Sequence, residues 1–303
     1  MAFFEKVLEA KVMSTHILIR ANVSKNVLFE AYKIATDFEE RYSAYKKESF
    51  LSELNAKAHR EKLVCKREDI ELFKRCIEAS ELSEGEFDIT IGSLSHGAYH
   101  FGFLNQKVAT PRELESQKEF VNFKFLKVTD ESITFQQKGV RLDLGGIGKG
   151  YVAKLIASFL RRQGATKLLV DVGGEIISFG KSYTIGIKNP FKDENIAYIK
   201  TSKEAISIST SGDYERFIDS QNSHILNTKS AKSPNNYSSM TVLQNGFDID
   251  MLDAYATAMF NKKSDYVREF SKKRALATIV IDKESNITLN NIKELELNSI
   301  ELV

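Results

Sequence analysis

Residues 140–172 read VRLDLGGIGKGYVAKLIASFLRRQGATKLLVDV and contain the clearest structural pattern of the chain. They predict a short strand VRLDL, a glycine-rich turn GGIGKG, a helix from about Tyr151 that Gly164 stops, and the apolar strand KLLVDV. Bare backbone amides at the start of a helix can hold a phosphate group. The turn Gly145–Gly150 is therefore a candidate phosphate-binding site, in which Lys149 would add a positive charge.

Two familiar phosphate-binding patterns come close to this turn. The Walker A pattern requires Ser or Thr after the lysine, whereas Gly150 follows Lys149. Residues Gly148–Ala153 formally fit the dinucleotide-binding fingerprint GxGxxG/A, and Asp171 lies near the position of its ribose-binding acid. Against this, the strand VRLDL carries two charged residues where a central parallel strand is usually apolar. Purely structural glycines, which let a helix pack close to a strand, remain an alternative.

Outside this segment, helical and strand patterns follow each other irregularly. The clearest predicted elements are a strand over Met13–Asn22 and helices over 24–38, Asp69–Glu81 and Asp250–Asn261. Residues 174–245 are rich in strand patterns, whereas residues 104–137 show only short, weakly alternating runs that predict hairpins and loops. Helices and strands without strict alternation favour an α+β fold, with mixed sheets and flanking helices, over a doubly wound α/β sheet.

Composition limits the class of protein further. We predict one domain over residues 1–303, because no Gly/Ser-rich linker and only three prolines interrupt the chain. Lys and Arg (43) nearly balance Asp and Glu (41), so strong electrostatic binding of nucleic acid is not expected. No apolar run approaches the ~20 residues of a membrane span. As it stands the sequence predicts a soluble, cytoplasmic chain without an export signal, or a periplasmic or lipid-anchored one if a leader has been removed.

The segment IDMLDAYATAMF, residues 249–260, contains a candidate metal site. In a helix, Asp253 and Thr257 lie four residues apart on one face. Carboxylate, hydroxyl and main-chain carbonyl oxygens are the ligands that Mg²⁺ prefers, and Mg²⁺ often shares its coordination with substrate phosphates. The carbonyl of Gly148 is a candidate for a further ligand. The alternative is that the Asp/Thr pair forms an exposed helix face.

Three further segments place polar side chains beside turns. Glu175 follows a second glycine pair, and Ser211 to Tyr214 combines hydroxyls, a glycine and an acid in one turn. Both turns also fit a purely structural role, because such side chains hydrogen-bond their own backbone. His224 lies in a short apolar run, where a histidine is usually structural, although histidine is the commonest side chain for moving protons near neutral pH.

Taken in order from residue 13 to 260, these segments resemble the ApbE-like FAD:protein FMN transferase family. The matching stretches are Met13–Thr15 (family MGT), Ser43–Tyr45 with Ser49–Asn55 (SxY…SxLSxLN), Gly85–Leu94 with Phe101–Phe103 (GxFDxTVGPL…WGFG), Asp143–Tyr151 (DLGGIAKGY), Val172–Glu175 (GGD/E), Ser211–Tyr214 (SGDY), His224–Asn227 (HIID) and Asp253–Thr257 (DALAT).

The resemblance implies that FAD binds near the glycine turn, with Mg²⁺ on Asp253, Thr257 and the carbonyl of Gly148. FMN would pass from FAD to a Thr or Ser hydroxyl of an acceptor flavoprotein in an electron-transport complex, and AMP would leave. Lys149 and the metal on Asp253 would together offset the charge of the leaving AMP. His224 would take the hydroxyl proton. The implied FAD contacts are Met13, Tyr45, Asp88, Gly146, Lys149, Gly150, Glu175, Ser211, Asp213 and His224.

The chain departs from the family pattern at several positions. Gly148 stands where the family usually has Ala, and Lys154 stands where it has Asp, so a contact of that acid would be missing. The family's HIIDPxTG is altered over His224–Ala231, and ring stacking would fall to Tyr45 or a Phe because the chain has no Trp. Two other functions stay open: an FAD pyrophosphatase that releases FMN and AMP, and a non-catalytic flavin-binding module.

Overall fold

The computed structural model describes residues 4–214, 217–219 and 222–303. The helices are α1 (Lys25–Tyr42), α2 (Phe50–Lys57), α3 (Arg67–Leu82), α4 (Gly92–Ser95), α5 (Pro111–Lys118), α6 (Gly148–Arg162), α7 (Ile249–Phe260) and α8 (Ser264–Lys273). The strands are β1 (Lys6–Val12), β2 (Thr15–Ala21), β3 (Leu63–Val64), β4 (Leu126–Val128), β5 (Ser132–Phe135), β6 (Leu168–Val172), β7 (Glu175–Phe179), β8 (Thr184–Lys188), β9 (Asn195–Thr201), β10 (Ile206–Gly212), β11 (Phe217–Asp219), β12 (Asn222–Ser223), β13 (Tyr237–Asn245), β14 (Ala277–Asp282), β15 (Ile287–Asn290) and β16 (Leu297–Leu302). The predicted α+β class is confirmed.

The largest sheet has the strand order β1-β2-β6-β7-β10-β13-β14-β15, and its neighbouring strands are antiparallel. On one face, Ile17 and Val170 join the main apolar core together with residues of α1, α6 and α7. On the other face, Ile206 and Ile208 pack against the smaller sheet of β8, β9 and β16. Side chains alternate between faces along each strand, so the same strands serve both cores.

A tight turn joins β1 to β2. The register pairs Val12 with Thr15, so Met13 and Ser14 form a two-residue turn, and both have positive φ (54° and 58°). This left-handed geometry matches the twist of a hairpin but favours Gly, Asn or Asp. The predicted strand over Met13–Asn22 therefore starts two residues later, and β1 itself was not predicted.

Replacing Ser14 with Gly should stabilise the chain by about 1 kcal/mol, because glycine adopts the left-handed conformation without the Cβ clash. Thermal unfolding should show a rise in Tm of about 2–4 °C. Ser14→Ala, which keeps the Cβ, is the matched control and should give no gain. An equal rise in both variants would show that the turn geometry is not responsible.

The predicted helices form, with shifted ends. Ser24 caps α1 as expected, since its hydroxyl accepts from Val27 N at 3.3 Å. The prediction that VRLDL is a strand is wrong: within it only Arg141 forms an isolated bridge, to Ile91. Side chains take over its backbone hydrogen bonds; for example, Leu142 N donates to Asn55 Oδ1 at 2.7 Å. Without a ladder partner the segment is a loop that leads into α6.

Residues 104–137 contain a helix that the sequence analysis did not predict. Helix α5 begins with Thr110 as its cap and Pro111 as its first residue. Glu113 N donates to Thr110 Oγ1 at 3.3 Å, and Glu113 Oε2 accepts from Thr110 N at 2.8 Å. This capping box with a proline at the first position is a recognisable start signal. Only Leu114 of α5 is buried, so the apolar periodicity was too weak to indicate this helix.

Within the described residues, no helix is both long and apolar enough to cross a lipid bilayer.

Candidate active site

One end of the large sheet brings several predicted site segments together. Strand β2 pairs with β6, and β7 pairs with β10 so that Glu175 faces Ser209. The turn Met13–Ser14 therefore lies beside the turn that precedes Glu175. Gly173 approaches so closely that a Cβ there would lie 2.3 Å from Thr15 Oγ1, which only glycine permits. Ser211 lies two residues beyond Ser209, on the same face of β10.

Lys149 and Glu175 form an ion pair at this end of the sheet. Lys149 Nζ donates to Glu175 Oε1 at 2.5 Å and to the Gly173 carbonyl at 3.4 Å. Glu175 is fully buried, and its Oε2 has no hydrogen-bond partner within the described residues. Burial raises the pKa of Glu175, and the charge of Asp253 raises it further, while Lys149 opposes the rise. Because the carboxylates of Glu175 and Asp253 repel each other beside the ammonium of Lys149, binding of a further cation is favoured here.

The start of α6 meets α7 at the predicted metal ligands. Gly150 N, which has no partner within its own helix, donates to Asp253 Oδ2 at 3.0 Å. A Cβ on Gly150 would lie 2.6 Å from the carbonyl oxygen of Ile249, so this approach requires glycine. A Cβ on Gly146 would lie 3.0 Å from Thr257 Oγ1. Asp253 and Thr257 thus both face the glycine turn, as their helical spacing predicted.

This donor set suits magnesium chemically. Asp253 supplies a carboxylate that is 2% exposed, and Thr257 supplies a hydroxyl one turn later. No group of three or more His, Cys, Asp or Glu residues that could hold a metal occurs in residues 4–214, 217–219 and 222–303. A metal here would therefore rely on few protein oxygens and on water or substrate phosphates, which is the usual coordination of Mg²⁺. The buried, unpartnered Oε2 of Glu175 is consistent with a cation nearby.

Tyr45 belongs to an aromatic cluster beside the glycine turn. Its ring centroid lies 5.6 Å from that of His96 and 5.1 Å from that of Phe103, and Tyr45 is 45% exposed. His96 is buried, and its Nε2 lies 3.3 Å from Asp143 Oδ2. Asp143 Oδ1 in turn accepts from Gly145 N at 2.8 Å. The exposed ring of Tyr45 is therefore connected to the turn, and its predicted place near the flavin stays a prediction.

Sequence reasoning missed His96 and did not assign a role to Asp143. His96 follows the four-residue helix α4, which is too short for a periodic pattern. Asp143 was visible as a polar residue before the glycine pair, where a short acid commonly accepts from the backbone two residues later. That signal was present in the sequence and would have predicted its contact with Gly145.

The segment that follows His224 lies beside the last turn of α7. Asn261 Nδ2 donates to the carbonyl of Leu226 at 3.4 Å and to that of Thr257 at 3.1 Å. Thr228 Oγ1 donates to the carbonyl of Gly85 at 2.8 Å, which fastens the segment on a second side. His224 itself is partly buried at the end of β12. Its predicted role as a base stays a prediction.

Two of the residues predicted to contact FAD have partners within the protein. Asp88 Oδ1 accepts from Thr90 N at 2.8 Å and Oδ2 accepts from Phe123 N at 2.6 Å, so this buried carboxylate braces two loops. Its predicted contact with FAD stays a prediction. Asp213 forms an ion pair with Lys283 after β14.

The pH dependence of stability should reveal the raised pKa of the Asp88 carboxyl. Burial raises its pKa to about 6, against the effect of its hydrogen bonds. Because the folded pKa lies above the unfolded value near 4, the contribution of Asp88 to stability is greatest below pH 4 and falls by about 3 kcal/mol between pH 4 and pH 6. Urea unfolding of wild type and Asp88→Asn at pH 4 and pH 7 should show this extra fall in wild type only. Parallel pH profiles for the two proteins would contradict it.

A comparison with protein families decides the class. A family model described as the ApbE family matches residues 13–280 of the chain. This chain belongs to the ApbE family. The match covers the glycine turn, α7 and the aromatic cluster, and it confirms the family resemblance drawn from the motifs.

Similar proteins of the ApbE family match over most of the chain. A protein named FAD:protein FMN transferase from Klebsiella pneumoniae is 26% identical and covers 96% of this chain and 94% of its own length. One of the same name from Vibrio cholerae is 26% identical and covers 73% and 69%, respectively. Homology to FAD:protein FMN transferases, which the motifs predicted, is thus confirmed.

Solved structures share the fold. The ApbE protein from Thermotoga maritima superposes with a TM-score of 0.88 at 23% identity, covering 98% of this chain and all of that one. A flavin transferase ApbE from Vibrio cholerae gives a TM-score of 0.83 at 23% identity, covering 96% of this chain and 98% of that one. The ApbE fold therefore extends over nearly the whole chain.

Proposed function

We propose that this ApbE-family chain is a Mg²⁺-dependent enzyme that transfers FMN from FAD to a Thr or Ser hydroxyl of an acceptor protein and releases AMP. The observation that carries the proposal is the meeting of Asp253 and Thr257 with the glycine turn at the start of α6. The names of relatives that match over most of the chain support the same reaction. We also propose that residues 1–303 act as one domain.

The glycine turn is the proposed site of the FAD diphosphate. The positive end of the α6 helix dipole favours negative charge beside this turn. Magnesium held by Asp253, Thr257 and the carbonyl of Gly148 would offset charge on the diphosphate oxygens. Lys149 is held by Glu175 in a defined position, so its ammonium is already oriented before substrate binds.

The exposed ring of Tyr45 is the proposed stacking surface for a planar ring of FAD. It lies at the edge of the cluster with His96 and Phe103, and the contact of Asp143 with Gly145 connects that cluster to the phosphate-binding turn. Aromatic rings stack in offset geometry and keep one end exposed to solvent. Met13 and Glu175 are proposed to line the opposite side, at the end of the sheet.

In the proposed reaction, the hydroxyl oxygen of the acceptor attacks the FMN-side phosphorus. The new oxygen–phosphorus bond forms as the bond to the AMP oxygen breaks, and AMP leaves with that electron pair. His224 takes the hydroxyl proton. Phosphoryl transfer depends mainly on positioning and charge neutralisation, so one base and a cationic site suffice. The acceptor, by family resemblance, is a flavoprotein of an electron-transport complex.

The test is a product analysis. The purified chain is incubated with FAD and an acceptor domain that contains a candidate Thr, with Mg²⁺ or with EDTA. Equal amounts of AMP and of FMN that stays on the denatured acceptor support the proposal. Free FMN with AMP would show a pyrophosphatase instead, and tightly bound intact FAD without AMP would show a flavin-binding module. Loss of AMP release in EDTA would establish the metal dependence.

A further inference from the structure

Helices α6 and α7 run against each other and touch at three successive levels. At the first, Gly146 faces Thr257, and at the second, Gly150 N donates to Asp253 Oδ2. At the third, Lys154 Nζ donates to Asp250 Oδ1 at 2.8 Å. The residues before and along α6 are spaced by four, and those on α7 by three or four, so each level is one helical turn from the next.

The contact at the third level is an ion pair, whereas the contacts at the other two levels are not. Asp250 is 1% exposed, and Lys154 also donates to Asp248 Oδ1 at 2.7 Å, so one ammonium holds two carboxylates at the start of α7. The sequence pattern of the family has Asp at the position of Lys154, and the contact of that acid was expected to be missing. The structure shows instead that Lys154 makes a different contact, with the charge reversed.

We propose that Lys154 is a positioning residue. It fixes the position of α7 along the axis of α6 and thereby orients the Asp253 carboxylate toward the start of α6. The proposal rests on the proposed function insofar as Asp253 is taken as a metal ligand. Buried charges exert strong positional control, because any shift leaves a carboxylate unpaired. Groups that orient a metal ligand in this way commonly change metal affinity when they are removed.

The surrounding contacts assign this role to Lys154 in particular. Arg75 also binds Asp250, with Nε at 2.7 Å from Oδ2, but Arg75 belongs to α3. It therefore holds α7 against α3 and does not fix α7 relative to α6. Along this interface, the small residue Gly150 removes side-chain interlocking, since any Cβ there would meet α7 backbone. A polar contact farther along α6 is then the feature that resists sliding.

The test compares Lys154→Met and Lys154→Arg with a matched control, Lys74→Met. Lys74 is an α3 residue whose half-exposed ammonium pairs with Asp130 at the surface. Two quantities are measured on the whole chain without FAD: the hydrogen-exchange rate of the Gly150 amide by NMR, relative to mid-helix amides of α6, and the Kd for Mn²⁺ alone by electron paramagnetic resonance.

In Lys154→Met we expect Gly150 exchange to accelerate about tenfold relative to the mid-helix amides, and Mn²⁺ binding to weaken about tenfold. Lys154→Arg should restore both, and Lys74→Met should change neither. Unchanged Gly150 exchange in Lys154→Met, or an equal change in the control, would overturn the proposal. If wild type binds no Mn²⁺, the metal site of the proposed function fails, while the Gly150 exchange still decides the role of Lys154.

Discussion

Replacing Asp253 with asparagine should lower Mg²⁺-dependent AMP release from FAD by about a thousandfold, which corresponds to about 4 kcal/mol of transition-state stabilisation. Asparagine keeps an oxygen that can accept from Gly150 N, so the contact between α6 and α7 is retained. It lacks the carboxylate charge with which Asp253 would attract Mg²⁺. The measurement is the rate of AMP release with Mg²⁺, in wild type and variant, across a range of Mg²⁺ concentrations.

The same variant should be as stable as wild type, or more stable, when unfolding is measured in EDTA. The charge of Asp253 raises the pKa of the buried Glu175, so removing that charge relieves repulsion. Asp265→Asn, at an exposed carboxylate of α8 that pairs with Arg268, is the matched control and should leave AMP release unchanged. A variant that loses both activity and several kcal/mol of stability would indicate that Asp253 serves the fold and not the reaction.

Replacing Arg75 with methionine should lower the free energy of unfolding by about 3–5 kcal/mol. Arg75 contacts Asp250, Asp248 and Glu78 through one guanidinium, and Asp250 is 1% exposed. Without Arg75, Asp248 and Asp250 share the single ammonium of Lys154, and the buried Asp250 cannot move into water. Urea unfolding at neutral pH measures the loss.

A neighbouring arginine provides the control for this prediction. Arg67, also on α3, pairs with Glu71 but is 92% exposed, so Arg67→Met should change stability by less than about 1 kcal/mol. Arg75→Lys should fall between the two, because lysine keeps the charge but not the fork that binds two carboxylates. Equal losses for Arg67→Met and Arg75→Met would mean that helix propensity, and not the buried network, accounts for the effect.

The helices that carry the candidate site were predictable because their local signals agree with their surroundings. Ser24 caps α1 in sequence and in structure, and Gly164, with φ of 85°, ends α6 as glycine commonly does. The loop over VRLDL was not predictable from its own residues. Its alternation fits a strand, but Asn55 and Ser93 supply the backbone partners from elsewhere in the chain.

The candidate site also combines features that the local sequence predicts with features that depend on distant residues. The facing of Asp253 and Thr257 follows from helical spacing alone, and the structure places both beside the glycine turn. The ion pair of Lys149 with Glu175 depends on where β7 lies relative to α6, which no local pattern encodes. The hydrogen bonds of Asp88 with Thr90 and Phe123 likewise depend on tertiary structure, because Phe123 lies 35 residues farther along the chain.

The order of strands in the large sheet has a consequence for the time course of folding. β2 lies near the start of the sequence, yet its neighbour on the inner side of the sheet is β6, where Ile17 pairs with Val172. Contacts between such distant residues form slowly, because a long loop must close before any pairing energy is gained. The turn at Met13 reaches the start of α6, beside Asp253 and Thr257, only after this closure. During refolding, FAD binding should therefore appear late, after most helical circular dichroism has recovered, and partly folded chains should leave FAD free in solution.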